Sequence, residues 1–405
     1  MIKVFTELVT IINVMIVRKI PIQFLIPISR NSKLLKSFMR GAYKKYVQSK
    51  LDYREKDGSS NSLWLLSPRI THRCNHRCAI CGQWGKSGYN AREDTPKVTG
   101  ELPLEVYKKV IDEVAPKKVH VYLTGGEPFL YEPLVPLVNY IKQKGLTVQI
   151  VTNGVGLEKN AETIVENGWD MLCVSLDGPK EIHDKCRGVQ GAFDTAIKGI
   201  LKIQKLKEEK KKVKPAFFIL TTISKNNESV LIDTVKEAEK LNPDGMVIYY
   251  SWFTREWIGQ NHTKMVNELL GITPFAWKGY VRDTTDIDTG KIIEQIRKIK
   301  SGKFKMPIML VPELKIKEIR KYYHEPENFL GYRKCVAPWF QLDIMPNGDV
   351  VTCRDFPDFV TGNIKESSIL DIYNGEKHRA FRRALRSCRN GVFPICSRCC
   401  GLMGY

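Results

Sequence analysis

The amino-acid sequence predicts an α/β protein: a partial (β/α)6 barrel of the TIM type, followed by a small cysteine-rich C-terminal domain. Two observations support this prediction. Between residues 63 and 250, six short apolar runs alternate with longer stretches of helical period, which is typical of a parallel sheet with right-handed crossovers. Six of the 11 cysteines then lie between residues 335 and 400, so the C-terminal part has a chemistry of its own.

The predicted strands are short, and helical patterns fill the gaps between them. The strands span residues 63–70, 119–124, 147–152, 171–175, 216–222 and 245–250, and the clearest helices span 104–114, 134–143, 158–167 and 193–208. Six such units form an open barrel rather than a closed eight-stranded one. Ligands of parallel α/β sheets bind at the carboxyl ends of the strands, so we expect functional residues directly after each strand.

We divide the chain into four segments. Residues 1–62 form a basic N-terminal extension, 63–290 the barrel core, 291–330 a connecting segment and 331–405 the cysteine-rich domain. Residues 251–330 are weakly patterned and rich in predicted helix, with three prolines as breaks.

Length and composition are those of an ordinary globular protein of about two domains. Of the 405 residues, 43% are hydrophobic and 27% charged, which excludes disordered, collagen-like and fibrous proteins. The formal net charge of +20 favours an anionic surface or partner, and no specific nucleic-acid binding is predicted. Eleven cysteines are too few for a disulfide scaffold and odd in number, so we expect a reduced, cytoplasmic compartment and metal-bound thiolates.

The N-terminal extension is strongly basic and has a helical apolar stripe. Its first 50 residues hold ten basic side chains against one acid, a net charge of +9. The stripe consists of Leu34, Leu35, Phe38, Met39, Ala42, Tyr43, Tyr46 and Val47. Two interpretations stay open: this helix lies on an anionic membrane surface, or its stripe packs on the barrel. The apolar run 4–17 is too short to cross a membrane, and its flanks do not fit a cleavable signal.

Three cysteines follow the first predicted strand with the spacing C-x3-C-x2-C: Cys74, Cys78 and Cys81. Three thiolates on one short loop can hold three irons of a cubane cluster and leave the fourth iron open. A zinc site needs a fourth ligand, which His72, His76 or a distant cysteine can supply. Spacing alone therefore leaves the metal open, but the position after the first strand indicates an active site.

The second predicted strand ends in Thr-Gly-Gly-Glu-Pro. Gly125 and Gly126 permit close backbone approach to a ligand, and Glu127 places a carboxylate beside it. Such a turn is a weak signal alone and a strong one when it follows the cysteine loop by one strand–helix unit.

Together these motifs resemble those of the radical S-adenosylmethionine (SAM) enzymes. The similarity continues with Thr-Asn-Gly at residues 152–154 and Ser-Leu-Asp-Gly-Pro at 175–179, then His-Asp at 183–184 and Arg-Gly at 187–188, as in the peptide- and sulfatase-modifying branches. The resemblance implies that the three cysteines ligate a 4Fe–4S cluster whose open iron takes SAM. The cofactor contacts that it implies come from Gly125, Gly126, Glu127, Asn153, Ser175 and Arg187.

Within that set the implied roles differ. The two glycines and Glu127 contact the methionine amino group, Ser175 contacts the ribose, and Arg187 contacts the carboxylate. For Arg187, a structural ion pair is a serious alternative.

The cysteine-rich tail opens with C-x12-G-x4-C, from Cys335 through Gly348 to Cys353, and resembles the SPASM domain that carries auxiliary clusters. Residues 347–349 fit its hairpin turn, between predicted strand residues 342–345 and 350–352. The resemblance implies a second 4Fe–4S cluster on Cys335, Cys353, Cys396 and Cys399, where Cys388 or Cys400 can replace one ligand. A four-cysteine zinc ribbon stays open, Cys173 is expected in the core, and Cys186 is unassigned.

The resemblance implies an enzyme that cleaves SAM reductively and modifies an unactivated C–H position with the 5′-deoxyadenosyl radical. We expect a peptide or protein substrate, as for a maturase. A lipid or surface-glycan precursor at the membrane is one alternative, and a non-catalytic iron–sulfur or zinc protein is the other. Expected partners are SAM, a peptide, protein or lipid-linked substrate, a low-potential electron donor such as flavodoxin or ferredoxin, and a peripheral membrane contact through the N-terminal region.

Overall fold

A computed structural model describes residues 24–403, and one ten-stranded sheet organises this part of the chain. The strands are β1 (Leu65–Pro68), β2 (His120–Leu123), β3 (Thr147–Thr152), β4 (Met171–Ser175), β5 (Ala216–Thr222), β6 (Gly245–Tyr249), β7 (Ile308–Val311), β8 (Gln341–Ile344), β9 (Asp349–Val351) and β10 (Val360–Asn363). Their order across the sheet is β10-β9-β8-β1-β2-β3-β4-β5-β6-β7. Strands β1 to β7 are parallel neighbours in chain order, which confirms the predicted α/β class.

Helices lie between the strands at the four positions for which bounds were predicted, and further helices precede β1 and follow β5. They are α1 (Leu25–Ser29), α2 (Ser32–Tyr43), α3 (Ser49–Asp52), α4 (Leu104–Val114), α5 (Leu134–Gln143), α6 (Leu157–Glu166), α7 (Lys180–Arg187), α8 (Ala192–Glu209), α9 (Leu231–Glu239), α10 (Glu256–Leu270), α11 (Thr289–Ser301), α12 (Ile316–His324), α13 (Ala337–Phe340), α14 (Ile369–Asn374), α15 (Glu376–Ser387) and α16 (Cys400–Met403). The predicted bounds of β3, β4, β5, α4 and α5 agree with the structure residue for residue.

The strands bury apolar side chains on both faces, as parallel strands do. Val148, Ile150, Leu172 and Val174 face the helices and belong to the main hydrophobic core. The alternate residues, such as Met171, belong to a second apolar cluster that includes side chains from the N-terminal segment.

Strand β7 was not predicted. Its four residues, Ile308–Val311, lie between Pro307 and Pro312 and pair with β6 in parallel, with Met246 opposite Ile308. The flanking prolines indicated a break in a segment that we took to be a connection. The described sheet therefore contains seven consecutive parallel strands where the sequence predicted six.

The N-terminal stripe packs on the barrel. Leu34 is fully buried, and Leu35 and Phe38 pack with it against the cluster that contains Met171 and Phe218. The stripe continues past α2 into a π-helical turn, Lys44–Gln48. Part of the apolar face that the membrane interpretation required is thus used by the fold, and this packing favours the interpretation in which the stripe lies on the barrel.

Residues 1–23, including the apolar run 4–17, lie outside the described residues. Within residues 24–403, no helix is both long and apolar enough to cross a membrane.

The tail shares the sheet of the barrel. Strand β8 pairs in parallel with β1, from Leu65 opposite Gln341 to Pro68 opposite Ile344. Strands β8 and β9 then form the predicted antiparallel hairpin. Gly348 in its turn has a φ of +97°, a conformation that favours glycine. The strand that precedes the cysteine loop therefore lies between β2 and the first strand of the tail.

Candidate active site at the carboxyl edge of the sheet

The cysteine loop begins just after β1 and is hydrogen-bonded to the turn that follows β2. The N–H of Gly126 donates to the carbonyl of Thr71 (2.9 Å), and the N–H of Glu127 donates to that of Arg73 (2.8 Å). A Cβ atom on Gly126 would lie 2.0 Å from the oxygen of Arg73 and 2.9 Å from Cβ of Cys74. Only glycine permits this approach, so the turn holds its backbone directly against the first cysteine.

The three loop cysteines are free thiols, and each is partly buried. The N–H of Trp84 donates to Sγ of Cys81 (3.3 Å), and Nη1 of Arg187 lies 3.8 Å from Sγ of Cys78. Burial raises the pKa of Cys74 to about 12 and also raises the pKa of Cys78. These thiols ionise when cationic metal lies among them, which fits an iron–sulfur cluster. Among residues 24–403, no three His, Cys, Asp or Glu side chains are already gathered around a position for a single metal ion.

Glu127 is 1% exposed and joins the ends of β2 and β3. Its Oε1 accepts hydrogen bonds from Oγ1 of Thr152 (2.6 Å) and the N–H of Phe129 (3.1 Å), and Oε2 accepts one from the N–H of Asn153 (2.7 Å). Burial raises the pKa of Glu127 to about 7. A carboxylate oxygen has two acceptor positions, so Oε2 retains one for a further donor.

Asn153 extends this contact to the cysteine loop, because its Nδ2 donates to Oδ1 of Asn75 (2.8 Å). Ser175 is the half-buried last residue of β4. Gly125 lies as close to the loop as its neighbour, since a Cβ there would lie 2.7 Å from the oxygen of Thr71. Five of the six predicted cofactor residues therefore lie at the carboxyl ends of three consecutive strands, and the sixth is Arg187.

Arg187 ends α7 and forms an ion pair with Asp177, with Nη2 2.7 Å from Oδ2. This is the alternative role that the sequence left open. Oδ1 of Asp177 accepts the N–H of Thr222 (2.9 Å), so the pair is fixed to β5. The carbonyl of Arg187 accepts the N–H of Arg77 (3.1 Å), which ties α7 to the cysteine loop. Nε of Arg187 is buried and has no hydrogen-bond partner among residues 24–403, so one donor is left for a ligand.

The tail contains a cavity of about 80 Å³. The cysteines that line it are Cys335, Cys353, Cys396, Cys399 and Cys400. Cys388 is not among them, and its Sγ hydrogen-bonds to the carbonyl of Ala384 (3.3 Å). Burial raises the pKa of Cys396 and of Cys399, as it does for Cys74 and Cys78. Five thiols around one cavity exceed the four ligands that a 4Fe–4S cluster needs, so this donor set fits the group.

Comparison with known families assigns both regions. The radical SAM superfamily matches residues 69–238, which include the cysteine loop, the turn after β2 and Arg187. SPASM, an iron–sulfur cluster-binding domain, matches residues 335–400 and thus every cysteine of the cavity. The chain contains a radical SAM domain and a C-terminal SPASM domain. Its cofactors are SAM and a 4Fe–4S cluster in the barrel, with further iron–sulfur binding in the SPASM domain.

Proteins similar to this chain have names that describe different activities. Fe-coproporphyrin III synthase of Methanosarcina barkeri is 31% identical over 275 residues, which are 67% of this chain and 60% of that protein. The subtilosin biosynthesis protein AlbA of Bacillus subtilis is 24% identical over 312 residues, 75% of this chain and 58% of AlbA. The chain thus spans about three-fifths of the length of these relatives.

Among solved structures, Streptococcus suis SuiB bound to SAM has the same fold, with a TM-score of 0.58 and 17% identity over 90% of this chain and 77% of SuiB. SuiB bound to its precursor peptide SuiA gives a TM-score of 0.54, with 16% identity over 84% of this chain and 70% of SuiB.

Sequence reasoning missed three side chains near the two cluster regions. Arg69 ends the β1 segment, and its Nη2 lies 3.8 Å from Oδ1 of Asp355, which lines the tail cavity. His262 on α10 lines the same cavity and is 3% exposed. Burial lowers the pKa of His262 to about 3, so its imidazole is neutral. Arg69 could have been found from the sequence, because it is a charged residue within an apolar predicted strand. His262 lies in a weakly patterned segment where no motif indicated a functional residue.

Proposed function

We propose that this radical SAM enzyme modifies an unactivated C–H position of a peptide or protein. The observation that carries the proposal is the backbone contact between the cysteine loop and the turn after β2, where Gly126 and Glu127 donate to Thr71 and Arg73. This contact supports a cofactor site beside the cysteine loop at the carboxyl edge of the sheet. AlbA, named for bacteriocin biosynthesis, and the shared fold with peptide-bound SuiB support a peptide substrate.

The residues of the barrel have separate tasks in this proposal. Cys74, Cys78 and Cys81 hold the cluster. When bound, a 4Fe–4S cluster and SAM would supply hydrogen abstraction from carbon, with one electron from the low-potential donor and methionine as the leaving group. Oε2 of Glu127, which already accepts the N–H of Asn153, would accept a further hydrogen bond from the amino group of SAM, and the unpartnered Nε of Arg187 would donate to its carboxylate. The backbone contacts among these segments orient the cofactor and exclude water from it.

Within the barrel, two further residues complete the proposed cofactor site. The hydroxyl of Ser175, at the end of β4, would contact the ribose. Asn153 holds Asn75 of the cysteine loop in place through the Nδ2–Oδ1 hydrogen bond.

A carboxylated porphyrin is a second candidate substrate, and Arg282 favours it. Nη1 of Arg282 donates to Oγ of Ser87 (2.9 Å) and to the carbonyls of Gly279 (3.3 Å) and Val281 (3.4 Å). Its Nε and Nη2 are buried without a partner among residues 24–403. These two groups form the edge of a guanidinium that binds carboxylate in bidentate geometry. The Methanosarcina relative is named for such a porphyrin.

The test is an anaerobic assay of the reconstituted full chain reduced with dithionite. We expect 5′-deoxyadenosine to rise above its uncoupled level when a peptide library is added, with deuterium transfer from labelled peptide to the product. A rise only with a carboxylated porphyrin, abolished in Arg282→Gln, would support the second candidate instead. Absence of 5′-deoxyadenosine under all conditions would contradict both.

We also propose that the low-potential electron donor, an acidic flavodoxin or ferredoxin, binds a basic surface beside the tail cavity. This basic surface consists of Lys50, Arg54, Arg333, Lys334 and Arg389, all exposed, with the exposed Leu51 among them. Three chain segments meet there: a Cβ on Gly391 would lie 2.3 Å from the carbonyl of Arg333, and Nζ of Lys334 lies 3.8 Å from the ring centroid of Tyr53. The next residue, Cys335, lines the cavity.

Charge argues for an acidic partner. None of the five cations forms an ion pair with a carboxylate among residues 24–403. Partial burial, and then the charges of Lys50 and Arg54, lower the pKa of Lys334, so both cations lie close enough to repel its ammonium group. An acidic protein surface relieves this repulsion, and the attraction is screened by salt.

Binding of a recombinant flavodoxin to the full chain, measured by calorimetry at two salt concentrations, tests this surface. We expect the double variant Lys50→Glu/Lys334→Glu to bind at least tenfold more weakly at low salt. The matched control is Lys159→Glu, an exposed lysine on α6, which should bind as the wild type does. Equal binding by all three proteins would overturn the assignment.

A further inference from the structure

One side chain of the tail cavity is not explained by the cysteine motif. His262 is 3% exposed and lines the cavity together with Cys353 and Cys396. Its Nδ1 is buried and has no hydrogen-bond partner among residues 24–403. Burying a polar nitrogen without a hydrogen-bond partner is destabilising. Such an atom therefore indicates a hydrogen-bond partner that is not part of the polypeptide.

Aromatic packing fixes the imidazole in relation to two cysteines. The ring of His262 lies between those of Phe356 and Phe393, with centroid distances of 5.5 Å and 5.6 Å. The N–H of Phe356 donates to the carbonyl of Cys353 (3.1 Å), and the N–H of Cys396 donates to the carbonyl of Phe393 (3.0 Å). Each flanking ring is therefore tied through the backbone to a cysteine that lines the cavity.

We infer that His262 donates a hydrogen bond from its imidazole to a sulfur of the auxiliary cluster and thereby raises the reduction potential of that cluster. The inference rests on the proposed cysteine ligands of the tail. A ligand role is not needed, because five thiols already line the cavity and four complete a 4Fe–4S cluster. An N–H donor stabilises the reduced cluster, which carries more negative charge, more than it stabilises the oxidised one.

The experiment isolates the auxiliary cluster in the full chain by the triple substitution Cys74→Ala/Cys78→Ala/Cys81→Ala. In that background, His262→Phe keeps a ring of similar size and removes the donor, whereas His262→Gln keeps an N–H. His378→Phe is the matched control, because His378 is a buried histidine of α15 that does not line the cavity. Potentials are measured by redox titration followed by electron paramagnetic resonance.

We expect a more negative midpoint potential for His262→Phe, with unchanged iron content, and smaller or no shifts for His262→Gln and His378→Phe. An exchangeable-proton coupling at the cluster should disappear in His262→Phe. Equal potentials in all variants, loss of auxiliary iron in His262→Phe with retained helical content, or zinc in the tail would each overturn the inference. None of these measurements needs SAM cleavage or substrate, so a failure of the proposed catalytic function leaves their outcome unaffected.

Discussion

Arg69 and Asp355 form an ion pair across the junction between the barrel and the SPASM domain, with Nη2 3.8 Å from Oδ1. Arg69 is 4% exposed, and its Nη1 donates to the hydroxyl of Tyr89 (2.6 Å) in the segment after the cysteine loop. Asp355 follows Cys353 by two residues and lines the tail cavity. The pair therefore connects the surroundings of the two cluster sites directly.

This connection predicts coupled stability. Asp355→Asn should destabilise the chain by about 1–3 kcal/mol, because it leaves the buried guanidinium of Arg69 without its counter-charge. In the Asp355→Asn background, Arg69→Met should lower the free energy of unfolding by less than it does in the wild type. The expected coupling energy is on the order of 1 kcal/mol. Urea denaturation of the two single variants and the double variant measures this. Strict additivity would show that the pair contributes nothing.

The core cluster should depend on each of its three proposed ligands. Cys74→Ala, Cys78→Ala and Cys81→Ala should each abolish 5′-deoxyadenosine formation, because no other described cysteine belongs to that loop. The reconstituted wild type should approach eight irons per chain if it holds two 4Fe–4S clusters, and the triple variant about half of that. Cys173→Ala, a buried strand residue, is the control. Turnover retained by any single loop variant would contradict the assignment.

In the tail, the proposed ligand cysteines line the cavity, whereas Cys388 does not. Cys396→Ser should lose the auxiliary iron, because Cys396 lines the cavity with the other proposed ligands. Cys388→Ser should keep it, since Sγ of Cys388 is hydrogen-bonded to the carbonyl of Ala384 outside the cavity. Iron and zinc are measured by plasma emission after anaerobic reconstitution. Loss of iron in Cys388→Ser alone would mean that the ligand set is different.

Glu127→Gln should weaken the joint between the second and third strands. Oε1 accepts two donors and Oε2 one, so the amide group of glutamine must face the N–H of Asn153. The expected cost is about 1–3 kcal/mol at pH 5. The control is Glu132→Gln, an exposed residue of the same segment, for which no change is expected.

The same substitution has a predicted pH dependence. Burial raises the pKa of Glu127 from 4.5 to about 7, so the folded state favours the protonated form. The resulting stabilisation is complete below pH 4.5 and is lost as the pH rises through about 7. The stability difference between wild type and Glu127→Gln should therefore narrow from pH 5 to pH 8 in urea denaturation. A constant or growing difference would contradict the assigned pKa shift.

The N-terminal helix should be part of the folded core. Leu34→Ala should cost about 2–5 kcal/mol, because Leu34 is fully buried against the barrel. Lys36→Ala, an exposed position two residues along the same helix, should change stability by less than about 0.5 kcal/mol. Thermal unfolding of the full chain compares the two. Equal melting temperatures would restore the membrane interpretation of the stripe.

Short apolar runs and stretches of period 3.6 carried the prediction of the barrel, because each strand–helix unit there buries its apolar residues against neighbours close in sequence. The bounds of β3, β4 and β5 followed from this alone. Strand β7 was not predicted because four residues between two prolines are too few to show a periodic pattern. The packing of the N-terminal stripe was left undecided because an apolar face has the same pattern whether it covers a membrane or a sheet.

The site divides in the same way. Cys74, Cys78, Cys81, Gly126 and Glu127 stand next to one another in motifs, so the sequence contains their relationship. His262 and Asp355 lie at the same cavity only because segments that are far apart in sequence pack together in the fold. The hydrogen bonds of Glu127 likewise join different strands. The sequence left two roles open for Arg187, an ion pair or a contact with the cofactor. Whether Asp177 lies close enough for the ion pair can be seen only in the folded chain.

The parallel pairing of β8 with β1 has a consequence for any attempt to separate the two regions. Without the tail, β1 would become the outermost strand of the barrel, and the N–H and C=O groups that face β8 between Leu65 and Pro68 would lose their partners. Unpaired strand backbone of this kind recruits strands from other molecules, so a chain truncated before residue 331 should self-associate. Grafting a different auxiliary domain onto this barrel would then require a replacement strand in that position, in the same register.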